Sequence, residues 1–177
     1  MCDRFRGMLD SLDTTVDHAR GGPDGRLILE YGDYECPYSR RAYREIQRVE
    51  AQRAGVRFAF RHFPLTDIHP HALAASAAAE AAAVQGSFWA MHDLLFGRQK
   101  ALEHEDLRRY AAELELDVGR FDVDRASDPV LLRIERDVRS GIATGEVTGT
   151  PTLFIDGVAH RGGYDADTLL EALSGRR

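Results

Sequence analysis

RLILEYGDYECPYSRRAYREIQRVEAQRAGVRFAF, residues 26–60, changes its hydrophobic period twice, and those changes decide the fold. RLILEYGDY (26–34) follows the breaker cluster GGPDG and is a short apolar run, the pattern of a buried strand. PYSRRAYREIQRVEAQRAG then shifts to helical spacing, with Tyr43, Ile46 and Val49 three apart and Gly55 as the stop signal. VRFAFRHF (56–63) alternates Val56, Phe58 and Phe60 against Arg57, Ala59 and Arg61, which predicts a second strand. Strand, helix, strand within about forty residues predicts a right-handed βαβ unit with a parallel strand pair.

Outward from this unit, residues 69–145 are helical in pattern throughout. HALAASAAAEAAAVQG is an alanine-rich run with helical spacing, read as core packing rather than low complexity. SFWAMHDLLFG puts Phe88, Met91 and Leu95 on one face, so Phe88 and Trp89 belong to a core stripe. HEDLRRYAAELEL does the same with Leu107, Tyr110, Ala111 and Leu114, and DPVLLRIERDVRSGIA with Leu131, Ile134, Val138 and Ile142. TLFIDG and VAHRGG follow as two short strands joined by Asp156-Gly157, a strong hairpin signal. DADTLLEALSG closes as a helix with Asp165 as N-cap. The expectation is one α/β domain over residues 26–177, preceded by an arm (1–25) and carrying an all-helical insertion at about 66–145.

The chain has 177 residues, 44% of them hydrophobic, which suits a single core. A formal charge of -6 and a pI near 5.6 argue against nucleic acid or an acidic membrane surface as partner. The first 22 residues contain no apolar run resembling a signal or a span, so a cytoplasmic location is expected. Two cysteines, Cys2 and Cys36, are too few for a secreted disulfide scaffold. Cys2 reads as incidental, and nothing in its spacing recommends it as a resolving thiol.

Cys36 falls where a strand hands over to a helix, with Pro37 suited to the first helical position. Free backbone N–H groups and the positive end of the helix dipole stabilise a thiolate there, so a reactive sulfur is expected. Thr150-Pro151 entering a strand is unusual, because proline cannot donate to a sheet ladder; a cis peptide at an edge would explain it. Glu30 is a lone carboxylate in an apolar strand. The bland alternatives are an inert buried cysteine, an ordinary trans turn and a glutamate at the strand's solvent end. His69 and His71, with Asp67, could ligate a metal, but without a second ligand cluster a capping or surface role fits better, and no metal is expected. His62 reads as structural.

Together, DHARGGPDG, YGDYECPYS, FRHFPLTDIHPHA, FWAMHDLLF and GTPTLFIDG resemble the DsbA-like branch of the thioredoxin superfamily, especially cytoplasmic or antiporter-attached members. The resemblance implies a thioredoxin-like fold, βαβ…ββα, with the helical insertion between the second and third core strands. It implies Cys36 as nucleophile and Glu30 as a buried acid that moves protons to and from it. It also makes Pro37, Tyr38, Thr150 and Pro151 the substrate-binding residues. The departure is Ser39, which stands where the family carries its second cysteine. Ser39 is expected to donate a hydrogen bond to the Cys36 thiolate but cannot resolve a mixed disulfide.

C-P-Y-S also looks like the one-cysteine motif of some glutaredoxins. The expected function is therefore a one-cysteine thiol-disulfide oxidoreductase with no bound cofactor. A low-molecular-weight thiol such as glutathione would be its co-substrate, and thiol- or disulfide-bearing proteins or small thiols its partners. The alternatives are a non-catalytic binding or regulatory module, or a glutathione-dependent transferase or isomerase like the kappa class. Members of that class generally carry serine where Cys36 stands, which counts against the last.

Overall fold

The computed structural model describes Leu9 and residues 11–175; Cys2 lies outside them. Residues of strand β2 (Arg26–Gly32) alternate across the sheet, sending Ile28, Glu30 and Gly32 to one face and Leu27, Leu29 and Tyr31 to the other. Strand β3 (Val56–His62) runs parallel to β2, with Glu30 opposite Phe60 and Gly32 opposite His62. Between them lies helix α1 (Pro37–Gln52), which buries Ser39, Ala42, Tyr43, Ile46 and Val49. The helix stops at Gln52, short of Gly55, whose φ of 75° forms the turn into β3.

Strands β4 (Thr152–Ile155) and β5 (Val158–Ala159) form the expected hairpin. Asp156 and Gly157 both take positive φ, 47° and 85°, as a two-residue hairpin turn requires. β4 pairs antiparallel with β2 and sets Leu153 against Glu30. Helix α7 (Ala166–Ser174) follows, with the Asp165 carboxylate accepting the Thr168 N–H at 3.0 Å.

The sheet order is β1-β3-β2-β4-β5. On sequence alone residues 1–25 read as an arm, but strand β1 (His18–Gly21) lies within them, antiparallel to β3. HARG has no apolar alternation to announce it. Tertiary polar contacts hold it instead: Arg20 pairs with Glu50 of α1, and His18 shares a hydrogen bond with Glu80 of helix α2 (Ala72–Val84). Just before β1, Asp17 takes the Arg61 guanidinium through two bonds at 2.8 and 3.0 Å. Burial by itself would raise Glu80, but hydrogen bonds from His18 and His62 more than offset it and hold the carboxyl well below its ordinary range.

The helical insertion follows β3: α2, α3 (Phe88–Gly97), α4 (His104–Glu113), α5 (Val118–Asp124) and α6 (Asp128–Thr144). Nine residues of α2 are buried, since alanines allow close approach of neighbouring helices. Ile28, Phe58, Phe60, Leu153 and Ile155 join α1, α2, α3 and α7 in the main core; Leu29, Tyr31, Ala59 and Phe154 form a second cluster across the sheet.

Helix α6 departs from the expected face. Leu131 and Ile142 are exposed, whereas Val130, Ile134, Asp137, Gly141 and Thr144 are buried. A polar partnership rotates the helix: Asp137 accepts the His62 N–H at 3.0 Å and pairs with Arg133, while a Cβ on Gly141 would sit 3.1 Å from the Tyr31 and Phe63 rings. His62, Tyr31 and Phe63 lie far away in sequence, so apolar periodicity could not reveal the face.

Candidate thiol site

Cys36 is the N-cap of α1, with Pro37 following as the first helical residue. Its side chain is only 3% exposed, and its thiol donates to the Thr150 carbonyl at 3.3 Å. The Thr150–Pro151 peptide is cis. The β4 entry and the α1 N-terminus, 114 residues apart, are thus joined at the sulfur. Pro37 and Tyr38 are exposed beside it, Tyr38 by 63%. A cleft of about 180 Å³ adjoins Pro151, walled by Glu146, Thr152, Arg161 and Tyr164. A larger cavity of about 830 Å³ lies at the other end of β2, around Arg26, Leu27 and Arg57, and contains none of these residues. Size is a poor guide here, because thiol exchange needs an approachable sulfur rather than an enclosing chamber.

Glu30 is completely buried, and neither carboxylate oxygen has a hydrogen-bond partner among the described residues. Burial pushes its carboxyl up to about 8, so it is mostly protonated at neutral pH. The carboxyl leans along β2 towards the end where Cys36 follows, since a Cβ on Gly32 would lie 2.8 Å from Glu30 Oε1 and would collide with the Phe60 ring. Gly32 thereby makes room for the acid. Gly32→Ala is expected to destabilise the fold by about 1–3 kcal/mol, as overpacking does. Urea denaturation would show it, and an unchanged midpoint would mean that the Phe60 ring yields freely.

Ser39 is fully buried, but it does not serve Cys36 as expected. Its Oγ accepts the Asp33 N–H at 3.2 Å, and it makes no hydrogen bond to the sulfur among the described residues. At the third position of α1, its oxygen faces back to the β2–α1 turn, where it meets the Asp33 N–H.

Asp33 organises that turn, a role with no signal in the sequence. Its carbonyl accepts the Cys36 N–H at 3.1 Å, and its carboxylate accepts Glu35 N–H at 2.7 Å and Leu65 N–H at 2.9 Å. The same carboxylate holds His69 Nδ1 at 2.7 Å. Glu35 accepts the His71 N–H at 2.6 Å, and Gln99, after α3, donates to the Tyr34 and Cys36 carbonyls, both at 2.8 Å. His71 is the N-cap of α2 without a side-chain cap bond; His62 is buried against Glu80. Among the described residues no group of three histidine, cysteine or acidic side chains could hold a metal.

A strand-to-helix cysteine facing a cis-proline loop, on a βαβ…ββα sheet, defines a thioredoxin-like domain. A family model described as Thioredoxin matches residues 13–174, and the chain belongs to that family. The fold is that of the DsbA-like branch, as expected from the sequence. BdbD from Bacillus subtilis superposes with a TM-score of 0.80 at 18% identity, covering 95% of this chain and 96% of that one. Alpha-DsbA1 from Wolbachia pipientis does so with a TM-score of 0.74 at 20% identity, covering 89% and 88%. A thioredoxin-like oxidoreductase from Silicibacter pomeroyi is 28% identical, with a TM-score of 0.79 over 89% of this chain and 90% of that one.

In sequence, the chain is 41% identical over 172 residues to the Na(+)/H(+) antiporter NhaA 1 of Salinispora arenicola, and 45% over 168 to the Na(+)/H(+) antiporter NhaA of Herminiimonas arsenicoxydans. These matches take 95% and 94% of this chain but 26% of each relative, so the chain spans about a quarter of the length of those relatives. No helix among the described residues is long and apolar enough to cross a membrane.

Proposed function

We propose that this domain is a thiol-disulfide oxidoreductase of the one-cysteine type, acting in a reducing, cytoplasmic compartment. The observation that carries it is Cys36 at the N-terminus of α1, its sulfur 3.3 Å from the Thr150 carbonyl, with a serine at position 39. The likeness to a thioredoxin-like oxidoreductase from Silicibacter pomeroyi supports the reaction class. The Cys36 thiolate attacks a disulfide R–S–S–R′, forming Cys36–S–S–R and releasing R′–S⁻. A small external thiol such as glutathione then attacks the sulfur of R; the new disulfide leaves and Cys36 returns as thiolate. Pro37, Tyr38, Thr150 and Pro151 border the sulfur and receive the disulfide-bearing protein or small thiol. Glu30, mostly neutral near pH 7, stores a proton for the exchange.

The test is intact-mass spectrometry after incubation with oxidised glutathione, in a Cys2→Ser background. One glutathione should attach at Cys36 and leave on addition of excess reduced glutathione. The antiporter relatives favour a second reading, a non-catalytic module that serves a transporter. No adduct, or an adduct that reduced glutathione does not release, would replace the first reading with the second.

A further inference from the structure

With one sulfur, the slow half of the cycle at neutral pH is the arrival of the external thiol, which is mostly protonated there and unreactive in that form. Ser39 cannot help, because its oxygen is engaged by the Asp33 N–H. Glu35 is taken by the His71 N–H. His69 is differently placed. Its Nδ1 is held at 2.7 Å by Asp33, the residue whose carbonyl also receives the Cys36 N–H. A carboxylate only accepts, so in the neutral ring the proton sits on Nδ1 and Nε2 keeps its lone pair. Nε2 has no hydrogen-bond partner among the described residues, and the side chain is 17% exposed. Asp33 itself is completely buried, and two backbone N–H groups fix the carboxylate that orients the ring. Tyr34, Glu35, Cys36, Asp67 and His71 are the other titratable residues of this turn and loop; among the described residues it is Asp33 that is bonded to the imidazole.

We infer that His69, oriented by Asp33, is the base that takes the proton from the external thiol as it attacks the mixed disulfide on Cys36. The inference rests on the one-cysteine reading above. In the step, the thiol R″–S–H gives its proton to His69 Nε2 and its sulfur bonds to the sulfur of R. The bond from that sulfur to Cys36 breaks, its electron pair stays on Cys36, and R″–S–S–R leaves. The proton on His69 then passes through solvent or directly to the Cys36 sulfur, restoring the thiol that donates to Thr150. Electrons balance, with one disulfide broken and one formed.

The experiment isolates this half-reaction. Cys2→Ser protein carrying glutathione on Cys36 is mixed with excess reduced glutathione from pH 6 to 9, quenched in acid and followed by intact mass. Without a base, the rate should climb about tenfold per pH unit until the free thiol ionises near ~8.5. Wild type should instead rise less steeply than tenfold per pH unit below about pH 8.5, because a base beside the mixed disulfide lets the protonated thiol react as well.

His69→Asn should release glutathione about tenfold more slowly at pH 7 and at the wild-type rate by pH 9. Asp33→Asn should shift the profile the same way. His69→Gln serves if the asparagine variant does not fold, and the wild-type slope needs no variant at all. A loss that is uniform across pH would make His69 merely structural, and identical profiles would overturn the inference. Failure of the glutathione adduct to form would instead defeat the one-cysteine reading itself.

Discussion

A Ser39→Cys variant is expected to exchange protein disulfides without any added small thiol, while the wild type exchanges none under the same conditions. Residue 39 is the third helical residue of α1 and Cys36 its N-cap, so the two occupy one turn. Cα atoms three residues apart in a helical turn lie about 5–6 Å from each other, inside the ~4.4–6.8 Å window that a disulfide spans. The introduced thiol would be buried as Ser39 is, and would give up the Asp33 N–H bond at the cost of one weak contact. Its thiolate attacks the Cys36 mixed disulfide from within, replacing the external thiol by an intramolecular one. Insulin mixed with pre-reduced protein freed of small thiol checks this directly: each variant molecule should reduce one disulfide and end with Cys36 bridged to residue 39. Cys36→Ser should abolish both adduct formation and turnover. If the wild type reduces insulin without small thiol, a second cysteine is at work, and Cys2→Ser should remove that activity.

The second large effect is on stability against pH, and it isolates Glu30. Its carboxyl moves from 4.5 to about 8 on folding, through burial. The native state therefore keeps a proton that the unfolded chain releases above pH 4.5, so stability falls as pH rises through that interval. The contribution is fully present below the unfolded value and lost by the time pH passes the folded one. From pH 5 to pH 9 the loss amounts to roughly 4 kcal/mol, a sizeable part of a typical domain's ~5–15 kcal/mol.

Glu30→Gln stays neutral at every pH. The difference in urea-unfolding free energy between the two proteins should therefore shift by that amount in favour of the variant as pH rises. Glu80, held low by His18 and His62, works in the opposite sense at acid pH, but it is common to both proteins and cancels. Equal slopes would mean that Glu30 reaches solvent or an unrecognised cation.

The sequence by itself determined the βαβ unit, the cysteine at the head of α1, the Asp156-Gly157 hairpin and the Asp165 cap. Each depends on a period, a cap or a turn preference spanning a few residues, which the chain expresses wherever it folds. The apolar neighbours of Glu30 suggested its burial, but the alternative of the strand's solvent end was closed only when β3 and β4 paired on either side of β2.

Tertiary structure alone decided the rest. Strand β1 exists because Arg20 and His18 find Glu50 and Glu80 across the fold. Helix α6 turns Asp137 inward because the His62 N–H needs an acceptor, and Leu131 and Ile142 face outward in consequence. Ser39 turned from the sulfur to Asp33, and His69 came to the thiol turn from 36 residues away. Polar partnerships are directional and act at about 3 Å, so the partner is chosen by whatever backbone the fold brings within reach. Apolar patterning needs only a face to cover, and that is why it could be read from one dimension.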